Sequence, residues 1–595
     1  MADAEAQMTA ADVLIEALRE SGVSIIFANL GSDHPGIIEA LAKDRARGEV
    51  RPGVIICPHE STAMGAAHGY AQATGSPQAV FVHTDVGTAN LGGSVHNAAR
   101  SRVPVLIFAG LTPYTLEGEL PGTRNAYVNH LQDVHSQHDL VRPYSKWNYD
   151  IRTGSNLKQV VFRALQLANS SPRGPVYLTG AREVLAEMAT PRSLNRDLWN
   201  PIVPIPAAAD LVDQLIEELA GANSPLIITS YVGRDPESVG KLVKFAEAMG
   251  IAVLETTPSQ MNFPANHPLH VGYTVDELIA QADVILAIDT DAPWIHSRRA
   301  PSPDAKIYFV DSDPLKDGMP LWYMPSNHFI RADSPAFLDQ LLGVLPGTEF
   351  GSSLATADRS ERIARIHDKQ RDAWNQRLSE VAELGLTPET VCATIHRVID
   401  EDTIVLNETI TNADTVSRYV PRTQPGTVYG NGGSSLGWSG GAAIGIKLAR
   451  PEQTVVSLIG DGTYFLSVPS STYWVARRYD TPFLTVIFDN GGWNATKQNL
   501  IKQYPGGVAD ETDQYWVNLA QSADLAGIAN AAGGAYAATV TTADELEPTL
   551  HEALARVKAG HAAVVSVRLA PISRQQEDVP KPAETGNENL TVGVP

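Results

Sequence analysis

The sequence has 595 residues, too many for a single core, and its 43% hydrophobic and 19% charged residues are those of an ordinary globular chain rather than a disordered one. Forty-five basic residues against 67 acidic ones leave a net charge of -22; with no Lys/Arg-rich run, this opposes binding to nucleic acid or to an anionic membrane. Cys57 and Cys392 lack metal-ligand spacing, the acidic N-terminus lacks an apolar core, and no membrane-length apolar run occurs, so a disulfide framework, secretion and membrane spanning are disfavoured and a cytoplasmic location is expected.

In chain order, residues 9–19 open with the capping residue Thr9 and an i, i+3, i+4 apolar pattern, which predicts a helix feeding a strand over 23–27. That strand stops at Asn29-Leu-Gly-Ser-Asp-His-Pro35. A second, 53–57, stops at Pro58-His-Glu60 before a helix of small residues over 61–74. A third, 79–82, stops at His83-Thr-Asp-Val-Gly-Thr-Ala-Asn90, and 103–109 is a fourth. Each polar cluster falls where a strand hands over to a helix, so residues 1–185 are read as a doubly wound parallel sheet.

The prolines at 191, 201, 204 and 206 mark a linker. Periodicity then returns, with helices over 211–219 and 239–249 and strands over 225–230, 252–254, 284–288 and 307–310, giving a second α/β domain over 205–345. No Gly-x-Gly-x-x-Gly follows the strand that begins it, so the usual dinucleotide fingerprint is missing. Residues 347–376 are polar, with helical character from Ser360 onward, and are read as a second linker.

A third doubly wound domain is expected over 380–570, with a polar tail over 571–595 read as mobile or late-ordering. Its strand over 403–406 ends at Asn407-Glu-Thr-Ile-Thr411, which places the Thr409 and Thr411 hydroxyls where a diphosphate could sit. Residues 455–458 stop at Gly460-Asp-Gly-Thr463, and 483–488 stop at Asp489-Asn-Gly-Gly-Trp493, with 465–479 between them as a crossover helix. A strand-helix-strand crossover makes the strands parallel, so Asp461 and Asn490, 29 positions apart, arrive at the same end of the sheet. That end is where α/β folds bind ligands. A carboxylate and an amide oxygen are hard ligands suited to Mg2+, and the N–H groups of the glycine-rich turn suit a diphosphate.

This paired spacing resembles the signature of thiamin diphosphate enzymes. Asp489 departs from the usual Asn there, but Asn490 is kept, and the resemblance implies that Gly460, Gly462 and Thr463 join the diphosphate seat and that the carbonyl of Gly492 is a third protein ligand. Pro58-His-Glu-Ser-Thr-Ala-Met-Gly-Ala-Ala-His-Gly-Tyr-Ala-Gln-Ala-Thr-Gly75 is similar to the pyrimidine-domain motif of the 2-oxo acid decarboxylase and acetohydroxyacid synthase superfamily. Taken alone, Glu60 reads as a helix-end carboxylate; the resemblance makes it the group that exchanges a proton with the cofactor's aminopyrimidine ring.

The likeness covers about residues 9–570 and is nearest in motifs to benzoylformate decarboxylases. It implies that Ser32 and His83 bind the substrate carboxylate and move protons, that Leu436 supports the bent cofactor, and that backbone groups of its neighbours, Ser435 among them, bind the pyrimidine edge. His296, in Ala292-Pro-Trp-Ile-His-Ser297, is the counterpart of a middle-domain active-site His. His34, His59, Trp493 and Lys497 are further pocket candidates.

The function so implied is a thiamin diphosphate- and Mg2+-dependent lyase that decarboxylates a 2-oxo acid without oxidation, through a carbanion-enamine. An acetolactate synthase-type carboligase acting on a second carbonyl such as an aldehyde is the alternative, and a non-catalytic subunit of the same fold is a third. The missing glycine-rich turn speaks against FAD without deciding it. A homodimer is the implied minimum and a homotetramer the implied usual state, with Glu60 of one subunit facing cofactor held by its neighbour.

Overall fold

The structure is a computed structural model that describes residues 7–274, 277–345, 354–519 and 524–572. Three parallel sheets carry the chain, as expected from the alternation of strand and helix patterns. The first contains β1 (Ile25–Ala28), β2 (Gly53–Ile56), β3 (Gln78–Val82), β4 (Val105–Leu111), β5 (Trp147–Asp150) and β6 (Val176–Ala181), in the order β2-β1-β3-β4-β6-β5. The second contains β7 (Pro225–Thr229), β8 (Ala252–Glu255), β9 (Val284–Ile288), β10 (Lys306–Asp311) and β11 (His328–Arg331), in the order β8-β7-β9-β10-β11. The third contains β12 (Ile404–Glu408), β13 (Val428–Tyr429), β14 (Val455–Gly460), β15 (Leu484–Asp489), β16 (Tyr536–Val540) and β17 (Ala563–Arg568), in the order β13-β12-β14-β15-β17-β16.

β14 and β15 pair in parallel from Val456 with Leu484 to Gly460 with Phe488, so Asp461 and Asn490 do leave the sheet at the same edge. The crossover between them differs from the single helix expected over 465–479. It is two helices, Asp461–Leu466 and Pro469–Arg478, broken at Val468, whose φ of 48° is left-handed. Pro469 causes the break: it cannot donate inside a helix, but it is well suited to start one.

The polar segment read as a linker is also more ordered than its composition suggested. Leu354–Val381 is one helix lying on the middle domain. Arg359 in it donates to the carbonyls of Leu219, Ala222 and Met249, and His367 bonds the carbonyl of His270. The Arg359 contacts satisfy carbonyls at the C-terminal ends of the helices Ala209–Gly221 and Pro236–Met249, which a helix end leaves unpaired. The expected tail lies, beyond Ile572, outside the described residues.

The first and third sheets are joined through two helices, Glu60–Thr74 and Trp438–Ala449. A Cβ at Gly445 would lie 1.9 Å from the Ala66 carbonyl, and one at Gly69 would lie 2.4 Å from the Ala442 carbonyl, so the two backbones touch where only glycine fits. One hydrophobic cluster runs through this contact and includes Phe27, Met64 and Ile107 together with Leu406, Ile459 and Tyr464.

Candidate active site

Glu60 begins its helix at the carboxyl edge of the first sheet and is buried. Its two carboxylate oxygens accept from two side-chain amides, Asn29 Nδ2 at the end of β1 at 3.1 Å and Asn90 Nδ2 in the helix after β3 at 3.0 Å. Two neutral donors orient the carboxylate without consuming its charge, as a carboxylate reserved for another partner requires. His59 is accounted for by the helix start itself, where Nδ1 accepts the Ser61 N–H at 3.2 Å.

Beside Glu60 lies a carboxylate-imidazole pair that the sequence reading half recovered. His83, half-buried, bonds through Nδ1 to Asp33 Oδ1, and Asp33 Oδ2 takes the Thr84 N–H at 3.2 Å. Glycine makes the room: a Cβ at Gly31 would strike the His83 ring, and one at Gly110 would strike the Asp33 carboxylate. Donating a hydrogen bond to Asp33 raises the His83 pKa above its ordinary value, against the effect of partial burial. Burial alone would raise Asp33, but hydrogen bonds from His34 and His83 outweigh it and hold the carboxyl well below its usual range. The other ring nitrogen of His83, Nε2, meets the side-chain amide of Gln132, whose backbone carbonyl is held by Thr112 at 2.8 Å.

Asp33 and Gln132 were both missed as site residues. Asp33 stood inside the quoted strand-end motif, where its spacing from His83 carries no signal; Gln132 belongs to a long segment without periodicity. Ser32 lies on an exposed turn next to Asp33. His34 is fully buried, stacks on Phe81 and places Nδ1 3.0 Å from Asp33 Oδ1, so it supports Asp33 from inside the fold.

On the third sheet, Asp461 starts its helix, accepts the Gly462 N–H at 2.9 Å and has its pKa pushed up to about 6 by burial, with Asp489 adding to the effect. Asn490 Oδ1 accepts the Gly492 N–H at 3.3 Å, and its carbonyl holds the Ile572 N–H at 3.0 Å. Gly491 and Gly492 have φ of 78° and 151°, values that favour glycine, and a Cβ at Gly462 would lie 2.4 Å from the Trp493 ring. Trp493 is therefore a packing partner of the turn. The departure at Asp489 has a local reason, because its carboxylate pairs with Arg568 on β17 at 3.2 Å.

These residues fit a hard cation and a diphosphate. A buried carboxyl held above its usual range is one whose charged form lacks a counter-charge, and Asn490 and the Gly492 carbonyl supply further oxygen donors. Among the described residues there is no group of three or more His, Cys, Asp or Glu placed to hold a metal, so a cation here would depend on ligand oxygens to complete its shell. Thr463 is buried in the first turn of the helix that Asp461 starts. Thr409 bonds back to Asn407 at 2.8 Å, and Thr411 follows it in a short turn. Leu436 is half-buried, between Ser435 and Gly437.

Two candidates stand apart from this grouping. His296 is exposed and bonds the Tyr323 carbonyl at 2.9 Å, and among the described residues no hydrogen bond or ion pair ties it to His83. Lys497 is tied to Asp513 and to the Ile572 carbonyl and lies over the Tyr515 ring, all of them local packing partners. No hydrogen bond or ion pair among the described residues joins Glu60 to Asp461; each is served within its own domain.

The crevice at the carboxyl ends of the second sheet is filled by side chains of this protein. The Tyr231 hydroxyl lies 2.9 Å from Asp311, Lys316 bonds Asp311 at 2.7 Å and Asp291 at 2.8 Å, and Arg102 reaches over from the first domain to Asp311 at 2.6 Å. The adjoining cavity, about 270 Å3, is below the roughly 300–1,000 Å3 of small-molecule sites. This ionic cluster occupies the strand ends of the second sheet, and no glycine-rich turn follows its first strand.

A buried carboxylate at the carboxyl edge of the first sheet and an oxygen-donor turn at that of the third belong to a chain of three parallel-sheet α/β domains. Three family models match it: Thiamine pyrophosphate enzyme, N-terminal TPP binding domain, at 8–140; central domain at 212–341; and C-terminal TPP binding domain at 410–567. The chain belongs to the thiamine pyrophosphate (thiamin diphosphate) enzymes.

It is 25% identical over 553 residues to a benzoylformate decarboxylase of Pseudomonas aeruginosa, covering 91% of this chain and 95% of that one. It is 24% identical over 586 residues to the acetolactate synthase isozyme 3 large subunit of Escherichia coli, covering 94% of each chain. A 2-hydroxyacyl-CoA lyase 2 of Danio rerio is 26% identical over 540 residues, 83% of this chain and 82% of that one. A solved thiamine diphosphate-dependent 4-hydroxybenzoylformate decarboxylase from Rhodococcus jostii superposes with a TM-score of 0.73 at 20% identity, covering 95% of this chain and 99% of that one, and so shares the fold. Among the described residues no helix is long and apolar enough to cross a membrane.

Proposed function

We propose that the protein is a thiamin diphosphate- and Mg2+-dependent lyase that decarboxylates a 2-oxo acid without oxidation and releases an aldehyde. The observation that carries this reading is the Asp33–His83 pair beside Glu60, because it puts a proton-moving imidazole next to the carboxylate that serves the cofactor. Bound thiamin diphosphate supplies the nucleophilic carbon and the electron sink. Asp461, Asn490 and the Gly492 carbonyl would hold Mg2+, and the N–H groups around Gly462 would meet the diphosphate. Glu60 shares a proton with the pyrimidine ring nitrogen. His83, held by Asp33 with one proton in place, donates at the carbon that loses carboxylate, while Ser32 offers its hydroxyl to the substrate carboxylate. His296 enters this reading only if an adjacent subunit brings it in.

Because Glu60 and Asp461 make their contacts in separate domains, the reading includes a homodimer as the working unit, most simply within a homotetramer, with one subunit's Glu60 acting on cofactor held by the other. The buried free thiols of Cys57 and Cys392 accord with a cytoplasmic setting. Purified protein incubated with thiamin diphosphate, Mg2+ and a panel of aliphatic and aromatic 2-oxo acids tests the proposal, with products identified by mass. Aldehyde alone supports it. Acyloin or acetohydroxy acid as the main product replaces it with a carboligase, and no turnover of any acid by cofactor-loaded protein overturns it.

A further inference from the structure

We propose that Glu408 and Asn97 are positioning residues of the cofactor seat, gripping the turn that carries Leu436 from opposite sides. The proposal rests on the reading of Leu436 as a support for bound thiamin diphosphate. Glu408 is the last residue of β12, at the sheet edge where side chains ordinarily face ligand, yet it is buried, with a relative exposure of 2%. Its carboxylate oxygens instead accept the N–H groups of Gly437 at 3.0 Å, Trp438 at 3.0 Å and Ser439 at 2.9 Å. Trp438 and Ser439 are the first residues of the helix Trp438–Ala449, so the carboxylate satisfies donors that a helix start leaves unpaired and meets the positive end of its dipole.

The other side of the turn is held from the first domain. Asn97 acts as a surrogate peptide group: Nδ2 donates to the Ser435 carbonyl at 2.7 Å, and Oδ1 accepts the Ser435 N–H at 3.0 Å. His96 takes the Ser434 N–H at 3.2 Å, and the Ser101 hydroxyl donates to the Asn431 carbonyl. Leu436 is therefore the one residue between a backbone unit clamped by Asn97 and another clamped by Glu408.

Neither clamp leaves room to relax. Gly437 has φ of 93°, and a Cβ there would lie 2.2 Å from the Leu466 carbonyl; a Cβ at Gly433 would lie 2.4 Å from Asn97 Oδ1. The height of the Leu436 side chain above the sheet is thus set by two hydrogen-bonding side chains from different domains, neither of which need touch the cofactor. Misplacement of a supporting group by about 1 Å can cost on the order of 100-fold in a step that depends on alignment.

Glu408→Gln keeps shape but replaces one acceptor oxygen with a donor facing N–H groups; Asn97→Ala removes both hydrogen bonds to Ser435. Each variant is compared with wild type and Leu436→Ala for thermal midpoint, thiamin diphosphate affinity in the presence of Mg2+, and hydrogen-deuterium exchange at cofactor C2 under saturation. Folded variants are expected to bind about 10-fold more weakly or worse, and to lose about 10-fold or more in exchange, following Leu436→Ala. Wild-type affinity and exchange in both overturn the inference, as does exchange lost in Leu436→Ala alone. If Glu408→Gln does not fold, Asn97→Ala decides by the same measurements. Failure of wild type to bind thiamin diphosphate would instead overturn the proposed function, so the two failures are distinguishable.

Discussion

Asp33 and His83 form a carboxylate-imidazole pair in which the carboxylate is almost fully enclosed, at 3% side-chain exposure, and the imidazole keeps 21% of its surface open. The enclosed member sets the properties of the open one. Asp33→Asn should therefore lower the His83 pKa toward its ordinary 6.5, measured by imidazole NMR, and cut turnover by roughly 10² or more, the scale for a mispositioned acid or base.

The same pair has a definite pH signature in stability. Asp33, with its pKa depressed, contributes fully above its ordinary 3.8 and loses the contribution as pH falls through its folded value; His83, with its pKa raised, contributes fully below 6.5 and loses the contribution as pH rises through its folded value. The destabilisation caused by Asp33→Asn, roughly 1.5–3 kcal/mol for a hydrogen bond to a charged group, should be greatest between those two values and shrink on either side. Urea unfolding at a series of pH values checks this; a flat difference would refute it.

Glu60→Gln keeps the acceptor for one of the Asn29 and Asn90 amides but cannot exchange a proton with the pyrimidine nitrogen. Cofactor should still bind, while C2 exchange slows by orders of magnitude. Unchanged exchange would leave Glu60 as a helix-end carboxylate.

On the proposed reading, Asp461→Ala should abolish thiamin diphosphate binding along with turnover, because the residues that would hold Mg2+ lose their one carboxylate. Calorimetry showing wild-type affinity in this variant would end the assignment.

Arg102→Met removes one of two cations from buried Asp311 and cuts a tie between the first two domains. Lys316 remains, so the expected loss lies toward the lower end of the about 3–5 kcal/mol typical of a broken buried pair. Thermal unfolding with no change in midpoint would show that the cluster contributes nothing to stability.

Most of the fold was legible in the sequence because strand runs and turn residues are local signals. Val455 to Leu458 ahead of Gly-Asp-Gly, and Phe483 to Phe488 ahead of Asp-Asn-Gly-Gly, placed Asp461 and Asn490 correctly, since a parallel crossover leaves one topology. What escaped was non-local. The break at Pro469 inside the crossover escaped because it also depends on the left-handed turn at Val468. The helix Leu354–Val381 looked like a linker because its function lies in Arg359 capping distant carbonyls. Asp33, Asn97, Gln132 and Glu408 became meaningful only once folding set each against a partner from another part of the chain.

The glycine contact between Glu60–Thr74 and Trp438–Ala449 also bears on how the chain reaches this state. Residues that share one core across that contact are made at opposite ends of synthesis, with the whole middle sheet translated between them. The face of the early helix carrying Gly65 and Gly69 must wait uncovered until the late helix emerges, and contacts so remote in sequence make for slow, aggregation-exposed folding. The first and last thirds are thus one folding unit interrupted by another. Excising either outer third alone would strip a buried seam from the remainder, whereas the middle sheet has its own core and is the part that stands to fold by itself.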